Sequence, residues 1–166
     1  SEMCIRDRGK DAQDKAKKAL DLLAPFHDKY ADNNLAKGYM PDVWATEALG
    51  HYHIGNYDKM HEAFLSLEKG FPGNKVVRLA GFKLFELLKE KGDAMAQADP
   101  ELADPFYKKA GHYIRAWYDA SKGKLGPQQL LWAGDAMLKV KAFKTAARVF
   151  DEYLAQLPPP DRRSQK

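Results

Sequence analysis

Apolar and polar positions along this chain repeat with the period of an α-helix. Ala12, Ala16, Ala19, Leu20 and Leu23 form one apolar stripe, and Lys10, Asp14, Lys17, Lys18 and Asp21 take the remaining surface. This predicts a helix over 10–24. Pro25 interrupts it, 26–30 reads as one further turn, and 32–38 reads as a polar loop. Residues 41–54 and 58–69 form the next helical pair, joined by Gly55-Asn56. Gly70 suits the C-cap of the second, and Pro72 enforces its stop. A helix over 75–91 follows, ended by Gly92-Asp93. Residues 92–104, with two Asp-Pro steps, read as an irregular insertion before a partner helix from Pro105 to Ser121. Helices over 127–140 and 144–157 complete the pattern, which ends at Pro158-Pro159-Pro160. The polar tail 159–166 is expected to be disordered. The fold class is therefore all-α, with about seven helices.

One spacing occurs twice. Ala48, Tyr57, Met60, Phe64, Leu67 and Pro72 recur, at identical intervals, as Gly134, Phe143, Ala146, Phe150, Tyr153 and Pro158. Partial copies lie at Ala16, Leu20 and Leu23, and at Tyr107, Ala110, Ile114 and Trp117. A small residue lets two helices approach closely, and the aromatics fill the gaps between successive hairpins. Such hairpins bury too little surface to stand alone and share a core with their neighbours. Aromatics at these positions should dominate the stability, at roughly 25 cal/mol per Å² of apolar surface buried.

The stretch from Trp44 through Ala48, Gly55, Tyr57, Met60, Phe64 and Leu67 to Pro72 resembles a nearly complete tetratricopeptide repeat. The resemblance covers 9–158: a partial repeat at 9–31, repeats at 41–72 and 127–158, and a repeat at 75–122 carrying the 92–104 insertion. There are departures from the family pattern. Glu47 stands where leucine is usual, Met60 where alanine is usual, and Lys141 where the last turn would have glycine. The resemblance implies antiparallel helix pairs stacked as a right-handed α-solenoid, with the first helix of each pair lining a concave groove. Groove positions would then be Ala45, Leu49, Tyr52 and His53 in one repeat, Phe82, Glu86 and Lys89 in the next, and Leu131, Asp135 and Leu138 in the last. The carboxylate clamp of the chaperone-binding subclass is absent, because Ala45 and Leu49 occupy its positions. A mixed groove of this kind suits an amphipathic or apolar peptide better than an acidic tail.

Composition changes this picture little. Of 166 residues, 27 are basic and 23 acidic, giving a net charge of +4 that is spread along the chain rather than gathered in a nucleic-acid footprint. No apolar stretch approaches the roughly 20 residues of a membrane span. Residues 1–8 resemble a translated sequencing adapter and are set aside as an artefactual leader. The one cysteine, Cys4, lies there. The remainder is expected to be the C-terminal part of a longer repeat array with further repeats upstream.

Candidate chemistry is sparse. His51 and His53 point to different sides of one helix, which does not make a metal site, and no metal or cofactor is expected. His51 takes a packing position and His53 should face the groove. The carboxylate pairs Asp151-Glu152, Glu86 with Glu90, and Asp58 with Glu62 read as solvated faces. Phe82, Phe85, Phe106, Tyr107, Tyr113, Trp117, Tyr118 and Trp132 read as packing residues, although Lys108, Lys109 and Arg115 among them would also suit single-strand RNA stacking. No catalytic triad order or phosphate loop occurs. The reading that follows is a non-enzymatic scaffold that binds a protein or peptide in its groove. Two alternatives remain open. One is an accessory module of a larger enzyme or secretion complex, and the other is single-stranded RNA binding.

Overall fold

The computed structural model describes residues 2–30 and 32–158, with side chains from Gly9 onward. The tail 159–166 and the Cys4 side chain lie outside the described residues. The described residues are helical, with no strand: α1 (Glu2–Leu23), α2 (Phe26–Tyr30), α3 (Asn34–Lys37), α4 (Met40–His53), α5 (Tyr57–Gly70), α6 (Lys75–Ala96), α7 (Pro100–Ala120), α8 (Pro127–Lys139) and α9 (Phe143–Gln156). α2 and α3 are single turns of five and four residues. The chain divides into two compact units, Ser1–Leu84 and Phe85–Lys166, and the boundary falls within α6.

In the first unit α1 packs on α4, and α4 on α5. Ala16 is buried on the predicted α1 stripe. Gly50 permits the α1–α4 approach, since a Cβ there would lie 3.1 Å from Leu20. Ala48, Met60, Phe64 and Leu67 are completely buried between α4 and α5. Gly55 turns the chain with φ +76°, and the Asn56 side chain accepts from the Lys59 amide at 3.2 Å to open α5. Glu47, at a usual leucine position of the resembled family, is buried and is satisfied by His27, whose Nε2 lies 2.8 Å from its Oε1. The His27 ring lies 4.2 Å from the ring of half-buried Trp44.

Three local expectations change here. The expected loop 32–38 contains α3, because the Asn33 side chain accepts from the Leu35 and Ala36 amides and caps a helical turn. Gly70 is the last residue of α5 rather than its cap; the left-handed conformation falls to Gly73, φ +74°. Pro72 is exposed and ends the helix without joining the core. It does so through Phe71, which a following proline keeps out of the helical region.

The second unit contains the main departure. α6 does not stop at Gly92-Asp93 but continues to Ala96, and α7 begins at Pro100, so of 92–104 only 97–99 is non-helical. Asp99 caps α7 through the Glu101 amide at 2.9 Å, and Pro105 lies inside the helix. The physical reason is contact. Gly92 is buried, and a Cβ there would sit 2.7 Å from the Tyr107 ring. The glycine admits an aromatic from α7 and is not a stop signal.

α8 and α9 pack as a hairpin, with Gly134 against Phe150 and with Ala146 and Val149 buried. Leu157 before Pro158 is extended, so α9 ends two residues before its proline, as α5 does. Phe143, expected in the repeat core, is 61% exposed. It stands about a third of a turn from the centre of the stripe of Thr145, Ala146 and Val149. Pro158 is exposed as well, while Phe150, Tyr153, Tyr107 and Trp117 are half-buried and Ala110 and Ile114 fully buried.

Candidate functional site

A concavity lined by both charged and aromatic side chains lies in the second unit, between α6 and α8. It is a cavity of about 410 Å³ lined by Phe85, Glu86, Lys89, Glu90, Asp93, Trp132, Asp135, Ala136 and Lys139. The α6 residues recur at intervals of one, four, five and eight, and the α8 residues at three, four and seven. Each set therefore occupies one helix face. Asn74 opens α6 by accepting from the Val76 amide at 2.8 Å. Gln129 accepts from the Gly126 amide at 3.0 Å where α8 begins, with Pro127 in its first turn.

Aromatic packing joins the walls. Phe85 is buried, and its ring meets Trp132 edge to face at 6.5 Å and 86°. Trp117 of α7 meets Trp132 in the same way at 5.9 Å. Trp132 nevertheless remains 45% exposed, so part of its indole is open beside the cavity.

The polar lining is organised around two ion pairs. Lys89 Nζ lies 2.6 Å from Asp93 Oδ2, and Lys139 Nζ lies 2.9 Å from Asp135 Oδ2. Asp93 also accepts from the Tyr107 hydroxyl at 2.7 Å. Burial, the largest single influence, works to raise the Asp93 pKa. The hydrogen bonds from Lys89 and Tyr107, with the charges of Lys89 and Lys139, together outweigh it and hold the carboxyl below its ordinary value. The same Asp93 hydrogen bond, followed by burial, pushes the Tyr107 phenol upward.

Of the groove positions expected from the sequence, the structure brings Glu86, Lys89 and Asp135 together in this cavity. Leu131 and Leu138 are exposed on α8 but do not line it. In the first unit Ala45 is buried and so is not a groove surface. Leu49, Tyr52, His53 and Phe82 are half-buried there. Tyr52 meets His53 at 5.2 Å edge to face and Tyr57 at 6.1 Å. Burial, then the charge of Lys83, lowers the His53 pKa. His51 is half-buried with an unbonded, buried Nδ1, and its pKa is lowered by burial first and Lys59 second.

Phe85, Glu90, Asp93, Trp132, Ala136 and Lys139 are the lining residues that sequence reasoning did not place in the groove. All but Ala136, which adjoins Asp135, lie three or four positions from those it did, which was the available signal. One solvated-face expectation also changes: Glu152 accepts from the buried Tyr118 hydroxyl. Among the described residues no group of three or more His, Cys, Asp or Glu could hold a metal ion, and no helix is long and apolar enough to cross a membrane. Compared with protein-family models, curated proteins and solved structures, the chain matches none of them.

Proposed function

We propose that this chain is a non-enzymatic interaction scaffold of tetratricopeptide type, in which helical hairpins stack as a right-handed solenoid and a partner segment lies along the first helices of successive hairpins. The observation that carries the reading is the α6–α8 cavity. It is lined by the first helices of two proposed repeats, and it gathers three of the groove residues inferred from the repeat register, Glu86, Lys89 and Asp135. The half-open Trp132 beside paired charges offers apolar area with polar anchors, the mixture that recognition of an extended peptide uses. Four carboxylates against two ammonium groups would repel a phosphate backbone, which favours a peptide over RNA.

The test is selection from a random peptide display library on the immobilised chain, with counter-selection on a Trp132→Ala, Asp135→Lys variant whose helicity is checked by circular dichroism. Enriched peptides that lose binding to the variant support the reading. No enrichment, or enrichment indifferent to the variant, overturns it.

A further inference from the structure

The α6–α8 cavity carries an unbalanced charge that points to the chemistry of its occupant. Its lining has four carboxylates, Glu86, Glu90, Asp93 and Asp135, and two ammonium groups, Lys89 and Lys139. Both ammonium groups are already engaged, Lys89 by Asp93 and Lys139 by Asp135. Glu86 and Glu90 remain. Both are exposed, and among the described residues neither belongs to an ion pair. They stand one helical turn apart on the same face, an arrangement of like charges that a cation placed between them would relieve. The local excess is negative although the chain as a whole is +4.

Trp132 lines the same cavity from α8. Phe85 and Trp117 hold its indole by edge-to-face contacts, and 45% of the residue stays exposed. An indole that lines one cavity with two carboxylates makes a receptor for a flat or compact organic cation: the ring attracts it through its quadrupole, and the carboxylates accept its N–H groups.

Resting on the scaffold reading above, we propose that the α6–α8 groove recognises a basic side chain of a partner peptide, with an arginine guanidinium or lysine ammonium placed between Trp132 and the Glu86–Glu90 pair. Arginine fits better than lysine, because its planar fork can stack on the indole while donating to both glutamates. The occupant is a peptide rather than a free polyamine, since the Lys89–Asp93 and Lys139–Asp135 pairs line the same cavity and offer polar contacts to a flanking backbone.

The experiment uses the full chain and three synthetic fluorescent peptides of about twelve residues that share one mixed apolar and polar background. The first carries arginines, the second citrulline at the same places, and the third glutamate. Fluorescence anisotropy should show the arginine peptide binding about tenfold or more tighter than the citrulline peptide, which has the same shape without the charge. The glutamate peptide should bind weakest. Glu86→Gln with Glu90→Gln should remove most of the arginine preference, and because both residues are exposed the variant should fold. Trp132→Phe should lower affinity for arginine and citrulline peptides alike, and for arginine more. Equal binding of the three peptides overturns the proposal while leaving a scaffold with another preference intact. No binding by any of them also overturns it, and the library selection then judges the scaffold reading separately. Spermine displacing the arginine peptide at equal or lower concentration than unlabelled peptide overturns the assignment to a peptide.

Discussion

Gly134 on α8 and the Phe150 ring on α9 occupy the same space to within a methyl group: a Cβ on Gly134 would lie 2.5 Å from two ring carbons. Ala48 and Phe64, the equivalent pair of the first unit, are both fully buried. The doubled spacing in the sequence therefore sets a small residue and an aromatic at matching places in two hairpins, and in α8–α9 the small residue receives the aromatic ring. Gly134→Ala should destabilise the protein by about 1–2 kcal/mol in urea unfolding, because overpacking outweighs the roughly 1 kcal/mol that alanine gains in a helix. Adding Phe150→Leu should recover part of that loss. Strict additivity of the two changes would contradict a direct contact.

The second glycine contact makes a different kind of prediction. Gly92→Ala should push Tyr107 away from α6 and break its hydrogen bond to Asp93. The expected cost is about 1–3 kcal/mol. Tyr107→Phe should cost less, about 1 kcal/mol, because it removes the hydrogen bond and keeps the packing. A Gly92→Ala variant as stable as the parent would mean that the glycine has no packing role.

Lys141 turns the chain between α8 and α9 at φ +59°, where the corresponding residue of the first hairpin is Gly55 at +76°. A side chain in this region costs about 1 kcal/mol. The Lys141 ammonium returns little of it, since its 2.6 Å pair with Asp104 is half exposed. Lys141→Gly should therefore leave stability unchanged or raise it by up to about 1 kcal/mol, and Gly55→Ala should lower it by about 1 kcal/mol. Both follow from the shift in the urea midpoint.

Two groups of residues give the stability a pH dependence of opposite sign. Burial lowers the pKa of His51 and His53 below 6.5. As pH falls through 6.5 the unfolded chain takes up protons first, so this stability is present above 6.5 and is lost as pH falls through the folded values. Urea midpoints should drop between about pH 7 and pH 5, and His51→Gln should flatten the drop.

Tyr118 acts at the other end. Burial first, then the hydrogen bond to Glu152, raises its pKa from 10.0 to about 12. Its contribution is present below pH 10 and is lost as pH rises through about 12. In an ultraviolet titration, one phenolate should form after the rest, and Tyr118→Phe should remove it.

These contacts show what the sequence made legible. Pairings such as Gly134 with Phe150 lie within one hairpin, so their spacing is local and survives in the residue order. The continuation of α6 through Gly92 was not legible. Glycine marks both helix ends and close approaches, and the residue that decides between them, Tyr107, comes from the next helix. The groove was half legible. Repeat register placed Glu86, Lys89 and Asp135, but Trp132 and Phe85 read alike as packing aromatics. Only their neighbours on other helices bury one and leave the other open. Ala45 fails for the same reason: its helix position suits a groove, and its neighbours close over it.

The most direct test of the α6–α8 groove as the binding face uses the three tryptophans as reporters. Their indole N–H resonances give three signals in an amide correlation spectrum: Trp44 in the first unit, and Trp117 and Trp132 in the second. On titration with a peptide selected from the display library, the Trp132 signal should move furthest. Trp117, in contact with it, should move less, and Trp44 should stay in place. A bound peptide that leaves Trp132 unmoved, or that shifts Trp44 instead, would contradict the account.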